Sequence, residues 1–103
     1  MAGTQSNRRR PIHPGEILRE EFLEPLGISM YRLAKDTGMP ADRVGRLVHG
    51  TRSFSADTAL RLAAYFKTSA EFWMNLQARY ELELARDSRS TKSIAKIRPY
   101  EVA

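Results

Sequence analysis

Apolar residues recur along the chain at the three- and four-residue intervals of helices. Ile17, Leu18, Phe22 and Leu26 mark the buried side of a first helix over residues 14–24. His13 or Pro14 opens it, and Glu16 falls in its first turn, where the helix dipole favours a carboxylate. Pro25 is expected to end it, because the residue before a proline avoids the α region. Leu33 and Ala34 form the apolar face of a second helix, and Val44, Leu47 and Val48 the narrow core stripe of a third. Phe54 is assigned to the core. Ser55 caps a fourth helix, residues 56–66, with Leu60, Leu62, Ala63 and Phe66 as its buried candidates. Thr68-Ser-Ala-Glu71 matches a capping box and opens a fifth helix that runs to about residue 86. Phe72, Leu76 and Tyr80 share one face of it, with Trp73 and Leu84 close by. So long an apolar stripe exceeds what one small domain covers, so Trp73, Leu76, Tyr80 and Leu84 are candidates for the core or for a dimer interface.

Residues 29–50 hold the most informative punctuation. Ser29 suits an N-cap, since its hydroxyl accepts from an orphan backbone N–H. Gly38 ends the second helix in the left-handed conformation that glycine tolerates best. Pro40 fits the first turn of the third helix, where a missing N–H costs nothing, and Gly50 closes that helix. The polar face of the third helix carries Ala41, Asp42, Arg43, Arg46 and His49. A bracing helix, a glycine turn and an arginine-bearing second helix are the parts of a helix-turn-helix, whose second helix lies in the DNA major groove. An ordinary helical hairpin with a solvated face carries similar punctuation. Small Ala34 at the crossing, the four-residue turn 37–40 and the Val44/Leu47 pair favour the DNA-binding unit.

Charge sharpens that reading. Residues 16–24 carry Arg19 against Glu16, Glu20, Glu21 and Glu24, a net −3. Residues 29–54 carry Arg32, Lys35, Arg43, Arg46 and Arg52 against Asp36 and Asp42, a net +3. The basic unit is expected to face DNA and the acidic helix to face away, either as a solvated face or toward a basic partner. Gly45 costs ~1 kcal/mol against alanine inside a helix; it either permits close approach of a DNA backbone or is a tolerated surface glycine. Residues 1–11 are expected to form a flexible basic arm whose Arg8, Arg9 and Arg10 track phosphates or are simply solvated. Residues 12–86 form the domain. Residues 87–103 read as a tail, too short and proline-broken for a helix that stands alone. Its Ile94, Ile97 and Tyr100 leave three states open: unstructured, folded back, or added as an edge strand to a partner.

The chain has 103 residues, no cysteine and a formal charge of +5. That length gives one domain with a modest core. It has no disulfide framework, no thiolate metal site and no apolar run of ~18 residues to span a membrane. Arg8–Arg10 are not followed by an apolar stretch, so no secretory signal is read and a cytoplasmic location is expected. The positive balance favours a polyanionic partner. His13 and His49 lie on different elements, and no His/Asp/Glu spacing matches a zinc or calcium site. With no glycine-rich phosphate loop and no cysteine nucleophile, neither an enzyme nor a cofactor is expected.

His13-Pro-Gly-Glu-Ile-Leu18, Leu33-Ala-Lys35, His49-Gly-Thr-Arg52, Ala56-Asp-Thr-Ala-Leu-Arg-Leu62 and Thr68-Ser-Ala-Glu-Phe-Trp-Met-Asn-Leu-Gln77 together resemble HigA-type antitoxins of the Xre/Cro-like helix-turn-helix family. The resemblance covers residues 12–86. It implies an all-α, five-helix, Cro-like (lambda-repressor-like) domain that forms a homodimer. It also implies binding to double-stranded operator DNA, repression of its own operon, and neutralisation of a HigB-type toxin that cleaves mRNA. The alternative is a stand-alone Xre-family repressor with no toxin partner. Carried over by position, residues 40–49 would be the groove-reading helix, with Ala41, Asp42, Arg43 and Arg46 at base edges. Arginine pairs with guanine O6/N7, aspartate accepts from cytosine N4, and alanine touches a thymine methyl. Ser29, Arg32, Thr51 and Arg52 would contact phosphates. The chain departs from the pattern at Met30, where relatives often carry glutamine, and at Gly45, where they often carry a polar side chain.

Overall fold

The computed structural model describes residues 10–101, and every regular element among them is helical. The first, α1 (residues 14–26), is one continuous rod in three parts: an α-helical start Pro14–Ile17, a π-helical centre Leu18–Leu23, and an α-helical end Glu24–Leu26. Then come α2 (Met30–Thr37), α3 (Ala41–Val48), α4 (Ala56–Phe66), α5 (Ala70–Arg86) and a short α6 (Ser90–Ala95). The five expected helices are present. None of the helices is long and apolar enough to cross a membrane among the described residues.

The π segment corrects two expectations about α1. Its hydrogen bonds run i→i+5, as in the Glu24 N–H donated to the Arg19 carbonyl, so side chains five apart share a face. Leu18 and Leu23 are both buried, while Leu26 is 60% exposed. The extra residue in the turn carries Leu23 into the core and swings Leu26 out. Pro25 does not end the helix: Glu24 keeps α geometry (φ −65°, ψ −49°), and the rod continues to Leu26. A proline ring ordinarily collides with the carbonyl four residues back, and the widened π turn is where it fits. Gly27, at φ +66°, ends the rod instead.

The caps mostly follow the chemistry of their residues. Ser29, Ser55 and Ser69 each accept a backbone N–H three residues on, from Arg32, Thr58 and Phe72; such a cap contributes ~1 kcal/mol. The cap of α5 is therefore Ser69, not Thr68. Thr68 has another partner: its Oγ1 accepts the Trp73 indole N–H at 2.8 Å. Pro40 sits one place earlier than expected, at the N-cap of α3 (φ −60°, ψ 143°) rather than in the first turn.

The core lies where α1, α2, α3, α4 and the first half of α5 meet. Leu18, Leu33, Val44, Leu47, Leu62 and Trp73 are fully enclosed. Trp73 is its centre, stacked on Phe54 at 5.9 Å and in contact with Phe22 at 5.0 Å. Leu60, expected inside, is 62% exposed on α4. The chain's radius of gyration is 16.9 Å, against ~13 Å for a compact 100-residue domain. α6 and the residues around it are all exposed and extend beyond the core. The tail is helical over Ser90–Ala95 and fully exposed, with Ile94, Ile97 and Tyr100 open to solvent. The sequence reading had ruled out a lone helix there. The side chains of Ser88 and Thr91 turn the chain by bonding the last carbonyls of α5, which lets α6 start on that helix rather than alone.

Candidate nucleic-acid interface

The two helices of the 29–50 unit are set by what packs beneath them. Val44 and Leu47 are fully buried and Val48 nearly so, which fixes the roll of α3. At 3.6 residues per turn, the strip opposite those three holds Asp42, Arg46 and His49. Asp42 and Arg46 form an i,i+4 ion pair of 3.1 Å with side chains 75% and 60% exposed. The His49 Nδ1 lies 2.7 Å from the Gly45 carbonyl, which leaves its far ring edge outward. Ala41 is exposed at the helix start, and Gly45 lies on one flank of the strip with no atom that a Cβ would meet within 4 Å.

Arg43 lies on the other flank and is differently held. Its side chain is only 22% exposed, and its Nη1 donates to Asp57 Oδ2 of α4 at 2.7 Å. The same oxygen accepts from Arg61 Nε at 3.0 Å, and Arg61 Nη1 donates to the Thr37 carbonyl at the end of α2 at 2.8 Å. Above this, Tyr65 donates its hydroxyl to Asp36 at 2.6 Å, and Asp36 pairs with Arg32 at 3.3 Å. These donors hold both carboxyls below the usual carboxylate range: Arg43 then Arg61 at Asp57, and Tyr65 before Arg32 at Asp36. The result is a polar strut that runs from α4 to both helices of the unit. The sequence does not announce it, because its links join residues 14 and 24 positions apart.

The expected phosphate candidates lie around the same face. Ser29 accepts the Arg32 N–H at 3.0 Å, and its hydroxyl proton stays free to donate. Arg32 is 65% exposed. Thr51 and Arg52 are exposed in the loop after α3, where the Thr51 N–H closes the helix on the Arg46 carbonyl at 2.9 Å. That loop is braced from both sides. The Phe54 N–H donates to the buried Gln77 Oε1 of α5 at 2.8 Å, while Gln77 Nε2 donates to Glu81. His13 Nδ1 accepts the Gly15 N–H at 2.9 Å, and its ring meets Phe54 at 5.9 Å and Tyr80 at 4.9 Å, both edge-on. Burial pushes the His13 imidazole below its ordinary value.

One close approach locks α1 to α3. A Cβ at Gly15 would stand 1.8 Å from the Leu47 carbonyl oxygen, so only glycine lets these two backbones touch. Arg10, the described end of the expected basic arm, is bound to Glu16 through two 3.0 Å hydrogen bonds; Arg8 and Arg9 lie outside the described residues. Of the apolar candidates on α5, Trp73 is fully buried, Leu76 and Tyr80 are partly buried, and Leu84 is 45% exposed. No group of three metal-ligating side chains converges among the described residues.

Comparison with known proteins gives this geometry a setting. A helix-turn-helix family model matches residues 19–73. Virulence-associated protein I of Dichelobacter nodosus is 43% identical over 88 residues, 85% of this chain and 82% of that protein. Antitoxin HigA-1 of Vibrio cholerae is 38% identical over 76% of this chain and 73% of its own length. The Pseudomonas aeruginosa antitoxin HigA, solved with the higBA promoter, superposes with a TM-score of 0.83 at 47% identity, covering 89% of this chain and 100% of that one.

Proposed function

This chain belongs to the helix-turn-helix family that includes the HigA antitoxins, and from that membership we propose that it binds operator DNA as a homodimer, represses its own operon in the cytoplasm, and neutralises a HigB-type mRNA-cleaving toxin. The observation that carries the DNA reading is the outward strip of α3. Asp42, Arg46 and His49 are aimed away from a core that leaves α3 no freedom to roll. Arg46 suits guanine O6/N7 and Asp42 suits cytosine N4, with Ala41 at the helix start near a thymine methyl. Arg43 is a base-edge reader only if it leaves Asp57. Ser29, Arg32, Thr51 and Arg52 flank the strip as phosphate donors, which fix register without reading sequence. Residues 12–86 are the working domain and residues 87–103 its tail.

Two features support the rest. The far half of α5 carries Leu82 and Leu84, 52% and 45% exposed, which suits a homodimer seam. Glu20, Glu21 and Glu24 are exposed on α1, an acidic face that suits a basic toxin. The test is growth after induction of the neighbouring open reading frame, with and without this chain. A neighbour that arrests growth, is relieved by this chain and co-purifies with it supports the antitoxin reading. A harmless neighbour overturns it and leaves the stand-alone repressor.

A further inference from the structure

We infer that Asp57 is a positioning residue for Arg43, and that it limits how strongly the groove-reading helix attracts DNA of any sequence. The inference deepens the DNA-binding reading above and rests on it.

Three observations carry it. Arg43 lies on the flank of α3, one residue after Asp42, yet its side chain is 22% exposed where that of Arg46 is 60%. Its guanidinium is turned back onto α4 by a 2.7 Å contact with Asp57. Asp57 in turn is fixed by Arg61, which is anchored on the Thr37 carbonyl. The carboxylate is therefore not a mobile counter-charge. It is built into a strut that ends on the turn between α2 and α3, and a Cβ at Gly38 in that turn would touch Arg61 Nη1 at 3.2 Å.

The chemistry follows from what a duplex offers. A freed arginine on this flank lies within a side chain's reach of the same groove and of its phosphates. Each phosphate neutralised releases counterions, so log K gains a slope of about −0.9 against log salt. Arginine held on Asp57 contributes no such slope until a phosphate or base displaces the carboxylate. Base contacts by Arg46 keep their full weight, because they need no displacement of Asp57. Binding to the right sequence is thereby favoured over binding to any sequence.

The test measures binding to two probes across a salt series: a random-sequence 30-base-pair duplex, and a duplex selected by the wild-type chain from a randomised pool. Asp57→Asn keeps the shape and removes the charge. The expected result is tighter binding to the random duplex by up to about fivefold per protomer at 0.15 M salt, with a slope steeper by up to about 0.9. The preference for the selected duplex falls correspondingly. In an Arg43→Gln background the same substitution is expected to change neither quantity. Asp57→Glu, which restores the charge, is expected to return the slope to that of the wild type. Thermal melting of each variant separates loss of fold from loss of positioning. An unchanged slope in Asp57→Asn overturns the inference. An equal change with and without Arg43 overturns it too, because the carboxylate then acts by its own charge. Failure of the wild-type chain to bind either probe with any salt dependence is a different result: it removes the DNA-binding reading itself.

Discussion

Replacing Gly15 by alanine tests the packing that fixes α3 against α1. The added methyl would stand 1.8 Å from the Leu47 carbonyl oxygen and 2.9 Å from its carbon. Carbon–oxygen contacts in proteins settle at about 3.3–3.6 Å, so α1 and α3 must separate by roughly 1.5 Å. Both obstructing atoms are backbone, inside a helix whose Val44 and Leu47 are fully buried, so no side chain can swing aside. Overpacking a tight core costs typically ~1–3 kcal/mol and at times more. Alanine returns at most ~1 kcal/mol through its better helix propensity. A net loss of about 2 kcal/mol is expected, a large share of the ~5–15 kcal/mol by which such a domain is stable. At roughly 4–8 °C per kcal/mol for a domain of this size, melting falls by roughly 8–16 °C. Gly45→Ala is the internal control: the same change in the same pair of helices, but with nothing within 4 Å of the new methyl. It is expected to raise stability by about 0.5–1 kcal/mol. Calorimetry or circular dichroism on the two variants decides the matter. If Gly15→Ala melts within a few degrees of the wild type, the close approach of α1 to α3 does not hold. If Gly45→Ala is stabilised yet binds DNA more weakly, Gly45 lies against the duplex.

Other outcomes follow from the same geometry. Arg46→Ala is expected to cost about 1–3 kcal/mol on a selected duplex and to relax base preference at one position; equal loss on all sequences reassigns Arg46 to a phosphate. Arg52→Ala should weaken specific and random duplexes alike, and no change in either places the loop off the DNA. Gln77→Leu strands the buried Phe54 N–H and should cost about 1–3 kcal/mol of stability, read by urea denaturation. Burial holds the His13 imidazole below its ordinary value, so the folded chain binds fewer protons than the unfolded one. His13 therefore leaves stability intact above about pH 6.5 and removes it as pH falls toward the folded value. Below about pH 4.5 the carboxyls Glu16, Asp36 and Asp57, all held low, add their own loss. His13→Asn, which can still cap α1, should flatten the melting profile between pH 7.5 and 5; an unchanged slope there would assign the loss to another group.

What was legible in the sequence follows the range of the interaction that fixes it. Ser29, Gly38, Ser55 and the Val44/Leu47/Val48 stripe act within one turn, and the helices over residues 30–37, 41–48 and 56–66 form where that local chemistry places them. The π turn is also local, but a one-residue phase shift is invisible to a template with period 3.6, so Leu23 and Leu26 exchanged places. Thr68 looked like a cap until Trp73, five residues on, claimed its hydroxyl. The strut from Arg43 through Asp57 and Arg61 to Thr37 includes links across 14 and 24 positions. Those side chains meet only once α4 is docked. The outward strip was half legible: Asp42 and Arg46 were named as base-edge candidates, and their i,i+4 spacing already pointed on to His49, which was grouped with the polar face but not among the readers.

The proposed homodimer would set two copies of α3 into the DNA together. Guanine-methylation interference on a duplex selected by the wild-type chain from a randomised pool tests it most directly. Two patches of major-groove guanines, their centres one helical turn or about 34 Å apart and related by a pseudo-two-fold, are the expected result. A single patch, or interference confined to phosphates with no guanine signal, would contradict it.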